Sequence, residues 1–213
     1  MSNVANLRLE YKLKSLDVKD VVVDPISQFR TWFNEALSSE IREPNAMVIA
    51  TADFNAIPNA RVVLLKGFDE KGFTFYTNYE SVKGKELVDN PYAALVFNWM
   101  ELERQVRIMG TVHKTSFEES TEYFKSRPKS SQIGAWASPQ SRVISDRKVI
   151  EDNESFLSEE YSNSLELPCP EYWGGFRVVP THIEFWQGRS SRLHDRIQYR
   201  LHDSQWIIER LAP

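Results

Sequence analysis

The sequence predicts a mainly β protein with helical additions, arranged as a closed antiparallel barrel in a single domain. Three observations lead there. Eight or nine short apolar stretches, many of them β-branched, are separated by turn residues along the chain. The first three of these follow one another through turns too short for a crossover helix, which favours an antiparallel meander over βαβ units. The 213 residues, 41% hydrophobic and 12% aromatic, are enough for one sizeable core.

The elements follow in order. Residues 1–23 carry no strong period and read as a partly mobile arm, leaving 24–213 as the domain. Asp24 is an N-cap with Pro25 at the first helical position, and Phe29, Trp32, Phe33 and Leu37 recur at helical spacing. Strands are expected over 46–52, 59–66 and 73–78, with turns at 53–56 and 69–72. Ser81 opens a short helix that stops before Asn90-Pro91. Strands 93–99 and 105–114 come next. Ser116-Phe117-Glu118-Glu119 is a capping box, and its helix should end before Pro128. A second short helix is expected over 130–137 and another over 145–161. Residues 168–175 read as a turn-rich connector, and strands 176–179, 183–187, 192–200 and 206–210 finish the chain.

Bulk properties exclude several classes. A formal net charge of −4 disfavours a nucleic-acid binder. The longest apolar runs, such as Val62-Val63-Leu64-Leu65, are far too short for a membrane helix. The stretch from Met1 to Lys14 lacks the apolar middle of a signal peptide. The single cysteine, Cys169, makes no intrachain disulfide framework, which fits a reducing cytoplasm. His113, His182, His194 and His202 show no metal-ligand spacing. With no glycine-rich phosphate loop and no Gly-x-Ser-x-Gly elbow, any redox chemistry needs an organic cofactor.

Several clusters could carry chemistry. On one extended strand Arg192, His194 and Arg196 would share a face beside Phe185-Trp186, a surface suited to a flat anionic ligand or, more blandly, a solvated edge strand. Arg61 and Lys66, at an odd separation, would point to opposite faces of their strand and could serve two ligands or none. Tyr76-Thr77, Ser81 and Lys83 place hydroxyls and an ammonium at a helix start that suits a phosphate. Tyr123 and Arg127, four apart on one helix face, converge with Ser131 near a turn, as a phosphate site or as ordinary compensation of a helix dipole. Gln140-Ser141-Arg142 is a polar loop, and Gln105 is an amide on a strand.

Nine stretches, taken in order, resemble the pyridoxine/pyridoxamine 5'-phosphate oxidase family along nearly the whole chain. They are Arg61–Lys66 (RVVLLK), Phe75–Asn78 (FYTN), Glu103–Val106 (ERQV), Tyr123–Pro128 (YFKSRP), Ser131–Trp136 (SQIGAW), Tyr172–Phe176 (YWGGF), Ile183–Gly188 (IEFWQG), Arg192–Arg196 (RLHDR) and the terminal Arg210-Leu211-Ala212-Pro213. The resemblance implies a split-barrel homodimer with FMN at the subunit interface and a substrate-binding and dimerisation segment from about 170 to 213. FMN would be held by Arg61, Val62, Val63, Leu64, Leu65, Lys66, Tyr76, Thr77, Lys83, Gln105, Gln140, Ser141, Trp186 and Arg196. The substrate phosphate would lie among Lys66, Tyr123, Arg127 and Ser131, with Arg192 and His194 as catalytic groups at the ring and reacting carbon, and with Arg8 and Tyr11 closing over the site. The implied reaction takes pyridoxine or pyridoxamine 5'-phosphate to pyridoxal 5'-phosphate, with hydride transfer to FMN and O2 as final acceptor giving H2O2. A flavin- or pyridoxal-phosphate-binding protein without turnover, or a flavin reductase, would use the same pocket. One departure stands out: the family usually has two adjacent basic residues after the Tyr-Thr loop, and here Val82 takes the first place, leaving Lys83 alone. That implies weaker hold on the FMN phosphate.

Overall fold

The N-cap at Asp24 and the proline after it start the first helix where the sequence placed it. The Asp24 carboxylate accepts the Ser27 N–H at 2.7 Å, and Pro25 needs no partner at the first helical position. The structure is a computed structural model that describes residue 6 and residues 9–213. Its helices are α1 (Pro25–Leu37), α2 (Val82–Asp89), α3 (Phe117–Ser126), α4 (Lys129–Ala137) and α5 (Lys148–Glu160). Its strands are β1 (Ala46–Ala52), β2 (Pro58–Leu64), β3 (Gly67–Asp69), β4 (Gly72–Asn78), β5 (Tyr92–Trp99), β6 (Arg104–Lys114), β7 (Trp173–Gln187), β8 (Asp195–His202) and β9 (Gln205–Leu211). No helix among the described residues is long and apolar enough to cross a membrane.

All nine strands join one antiparallel sheet in the order β2-β1-β5-β6-β7-β4-β3, with β8 and β9 branching from β7. β2 and β3 end this path and share no ladder, so the barrel is split rather than closed. β1 and β5 alternate buried and less buried positions, which puts one face of each on the core. α1 fills that core with Phe29, wholly buried, edge-on to Phe68 and Phe73 at 4.9 Å each. Burial of such a ring contributes about 1.5–3 kcal/mol.

β7 is the spine. One edge pairs with β6 from Phe176 to Gln187, while the other pairs first with β4 (Trp173–Val178) and then with β8 (His182–Gln187). Pro180 sits in the gap between those two partners, where its missing N–H costs no ladder bond on that edge. Opposite it the β6 ladder shifts register between Met109 and Gly110. The sequence reading broke this strand in two and made 168–175 a connector, because Pro180 and Gly174-Gly175 look like breakers. In the fold the glycines are strand residues whose missing side chains admit the Tyr79 and Thr115 hydroxyls.

Three further expectations are corrected. β2 ends at Leu64, so Lys66 leaves the strand, its amide crossing to Thr74 O at 2.9 Å, and the opposite-face reading of Arg61 and Lys66 does not apply. β8 begins at Asp195: Arg192 closes a 3-10 turn, Ser190–Arg192, and does not share a strand face with His194 and Arg196. α3 ends at Ser126, leaving Arg127 extended (φ −77°, ψ 150°) rather than on the face of Tyr123.

From Leu9 onward the segment expected as an arm lies along the sheet. Glu103 accepts the Lys12 and Leu13 amides, Asp195 accepts that of Leu16, and the Tyr199 hydroxyl donates to Val22 O. Arg8 lies outside the described residues.

The register shift on β6 yields a stability prediction. A Cβ at Gly110 would sit 1.9 Å from the Val179 carbonyl oxygen, a backbone atom that cannot step aside. Gly110→Ala should therefore lower unfolding stability by about 1–3 kcal/mol, read as a fall in the urea midpoint.

Candidate active site

Each end of β7 carries an aromatic plate, Trp173 with a cation on it and Trp186 with an imidazole against it. At the start, Trp173 lies beneath the Arg127 guanidinium, 4.7 Å from ring to Cζ. Tyr76 from β4 and Tyr123 from α3 stack on each other at 3.9 Å and lie near-parallel to Trp173. These rings, with Phe124, Ile133 and Leu167, form a second small core that fixes Arg127 beyond the end of its helix. Arg127 Nη2 donates to Ser131 O at 2.7 Å, whereas Nη1 is buried with no partner among the described residues. A buried guanidinium nitrogen left unpaired is costly, and an anionic ligand would satisfy it. Arg127 and Ser131 line a cavity of about 270 Å³ together with Asn78, Gly134, Gln140 and Trp173. Burial raises the Tyr76 phenol to about 12, so it stays a protonated donor.

Gln140 also reaches the start of α2. The Lys83 ammonium donates to Thr77 Oγ1 and Gln140 Oε1, each at 3.0 Å, and to Ser81 Oγ at 3.4 Å. Ser81 is the α2 N-cap, so this cradle opens on a helix N-terminus. No carboxylate among the described residues lies within ion-pair distance of Lys83. Burial, then the neighbouring Arg61, hold its pKa below the ordinary lysine value. Arg61 itself is paired: its guanidinium reaches Glu86 at 2.9 Å and also Thr51, while Glu86 accepts from Thr51 and Asn59 as well. Val62 and Val82 are exposed, Val63 and Leu64 half-buried, Leu65 buried, and Lys66 and Ser141 exposed, Ser141 with φ 69°.

At the far end of β7, Trp186 packs 4.5 Å from the His194 ring, and Tyr11 stands edge-on to Trp186. Tyr11, Trp186, Arg189, Arg192 and His194 line a cavity of about 610 Å³. Arg192 is exposed, has no ion-pair partner among the described residues, and is held in the left-handed region at φ 61° after Ser191 at φ 56°. His194 Nδ1 accepts the Arg189 N–H at 3.1 Å. That bond assigns the neutral tautomer with its proton on Nε2. Burial and the Arg192 charge both lower the imidazole pKa. Gln105 pairs with Trp186 across the sheet and lines a neighbouring pocket with it. Arg196 is bidentate to Glu184 at 2.8 and 3.0 Å, and Glu184 also reaches Arg107 at 3.4 Å.

The expected residues thus fall into two groups. Tyr76, Thr77, Lys83, Tyr123, Arg127, Ser131 and Gln140 gather at the start of β7; Tyr11, Gln105, Trp186, Arg192, His194 and Arg196 gather at its end. The two cavities share no lining residue and are separated by nearly the whole 15-residue strand, on the order of 40 Å along the chain. Sequence reading missed Glu86, Glu184 and the Arg189 amide. Glu86 was legible as the i+3 neighbour of Lys83 on α2; the other two depend on strand pairing and loop shape.

The open antiparallel sheet, branched at its longest strand and flanked by helices, defines a split-barrel protein. Similar solved structures include PhzG from Burkholderia lata 383 in complex with tetrahydrophenazine-1-carboxylic acid, 29% identical, covering 94% of this chain and 100% of that one at a TM-score of 0.87. A pyridoxamine 5'-phosphate oxidase-related, FMN binding protein from Nostoc punctiforme PCC 73102, 17% identical and covering 91% of this chain and 100% of that one at a TM-score of 0.69, shares the fold. The family model described as "Pyridoxamine 5'-phosphate oxidase" matches residues 33–153, and that described as "Pyridoxine 5'-phosphate oxidase C-terminal dimerisation region" matches 173–213. Curated relatives named pyridoxine/pyridoxamine 5'-phosphate oxidase include those of Salinibacter ruber (56% identical) and Paraburkholderia phymatum (55%), each alignment covering 100% of both chains. The chain belongs to the pyridoxamine 5'-phosphate oxidase family.

The geometry around His194 sets its titration. The imidazole should titrate below the ordinary value of 6.5, and Arg192→Ala should move it upward, because losing a neighbouring positive charge favours the protonated ring. An NMR titration of the imidazole protons reads both shifts.

Proposed function

We propose that this protein oxidises pyridoxine 5'-phosphate or pyridoxamine 5'-phosphate to pyridoxal 5'-phosphate with FMN as cofactor. The observation that carries this reading is the pair of half-sites on β7, each with an aromatic plate and a cation that has no carboxylate partner among the described residues. Two phosphorylated planar molecules need such a pair of grips.

The residues fit FMN. Lys83, Thr77, Ser81 and Gln140 at the α2 N-terminus form a donor set for its phosphate, with Arg61 behind them. Because Glu86 neutralises Arg61, Lys83 supplies the net charge there, and Val82 adds none. Bound FMN supplies a two-electron acceptor for the substrate's exocyclic carbon and passes the electrons to O2, giving H2O2. The chain's own part is placement. Arg127, with its unpartnered Nη1, takes the substrate phosphate beside Tyr123 and Ser131. Arg192 covers the substrate ring. His194, neutral and protonated on Nε2, donates a hydrogen bond to the substituent at the reacting carbon.

Half-sites at opposite ends of one strand cannot grip the same substrate within a single chain. Each active site is therefore assembled by two copies related by a two-fold axis, one giving the Arg127 end and the other its Arg192 end, so that a dimer holds two equal sites. The lone, half-buried Cys169 suits a reducing cytoplasm.

Purified protein should be yellow and consume O2 with pyridoxine 5'-phosphate. Arg127→Ala and Arg192→Ala should each retain flavin and lose about 100-fold in kcat/KM. Mixing the two variants under subunit exchange should restore about a quarter of wild-type activity, since half the dimers are mixed and each carries one intact site. No oxygen uptake by the wild type sinks the function; no recovery on exchange sinks the shared site.

A further inference from the structure

We infer that Glu103 is a positioning residue that latches the segment Leu9–Leu13 over the Trp186–His194 cavity and so controls how long substrate stays bound; this rests on the function proposed above. Its carboxylate makes no ion pair among the described residues. Instead, Oε2 accepts two consecutive backbone amides, from Lys12 at 2.8 Å and Leu13 at 2.9 Å. A charged acceptor taking two amides is stronger than a neutral one, and it fixes the direction of the backbone it holds. The latch has a rigid base. Glu103 lies at φ 52°, ψ 39° in the turn joining β5 to β6, and its carbonyl accepts the Gly188 amide at 2.7 Å and Gln187 Nε2 at 3.1 Å. Its main chain is thus tied to the residues that follow Trp186, while its side chain holds the segment above them.

That segment is a wall of the cavity. Leu9, Glu10 and Tyr11 line it opposite Trp186, Arg192 and His194. Tyr11 lies 5.8 Å from both the Trp186 and the His194 ring centroids. The fit is close enough to require a glycine: a Cβ at Gly188 would fall 2.7 Å from Tyr11 Cγ and 3.1 Å from Glu103 Cβ. Lys14, next along, adds a second hold on α1 through Glu35 at 2.9 Å. Releasing Glu103 frees the part that bears Tyr11 and leaves Lys14 as the hinge.

The test compares Glu103→Ala with Glu103→Gln. Both replace one non-glycine residue in the left-handed region by another, so the backbone penalty is shared and the carboxylate is isolated. Gln keeps one acceptor oxygen and should rescue in part. In Glu103→Ala, trypsin should cleave after Lys12 about tenfold faster, because the scissile bond there carries the Leu13 amide that Glu103 holds. The KM for pyridoxine 5'-phosphate should rise about tenfold, while kcat and flavin content stay within about twofold. An unchanged cleavage rate overturns the latch even if KM moves, and faster cleavage with unchanged KM overturns its effect on the substrate. If wild-type protein fails to oxidise pyridoxine 5'-phosphate, the function reading falls, and the proteolysis rates still judge whether Glu103 holds the segment.

Discussion

A strand that changes partner halfway must solve a local problem at the point where it switches. Between Val178 and His182 one edge of β7 passes from β4 to β8, and the backbone there has no neighbour on that side. Pro180 suits the gap because it has no amide to strand, and Gly110 suits the facing position because a side chain would strike the Val179 carbonyl. With the switch made, β7 continues to Gln187 and carries Trp173 and Trp186 to its two ends. The distance between the two clusters follows from the unbroken length of this strand, and the proposed sharing of a site by two copies rests on that distance.

Charge pairing sorts the cations by task. Arg61, Arg104, Arg177 and Arg196 each face a carboxylate within 3 Å, which neutralises them and fixes their side chains. Lys83, Arg127 and Arg192 meet neutral oxygens, an aromatic face or solvent instead, and one Arg127 nitrogen meets no partner among the described residues. Partly desolvated cations without a counter-charge store electrostatic free energy that an anionic ligand releases. Net charge could not reveal this, since −4 overall coexists with all three.

Much of the fold was legible locally. Asp24-Pro25, Ser81 and Ser116 mark helix starts by capping chemistry that depends only on neighbours in sequence. The unity of β7 was not, because Pro180 and the paired glycines are breakers unless the partner strands are known. The site divides in the same way. The residue types at Arg127, Arg192, His194 and Lys83 stand out in the chain, but Arg127 meets Tyr123 through a shared stack on Trp173 rather than through helical spacing. His194 takes its tautomer from an amide five residues back, in a loop that no periodicity describes. The family resemblance carried the grouping of these residues; spacing alone did not.

Ser191 and Arg192 occupy the left-handed region in succession, at a cost of order 1 kcal/mol or more each for residues with a Cβ. Glycine or asparagine would relax the loop, yet either would remove the guanidinium at 192. If Arg192 acts on substrate as proposed, robustness and catalysis pull this position in opposite directions. A library of variants screened for heat tolerance alone would erode the clamp first, and thermostable descendants would be well folded and idle.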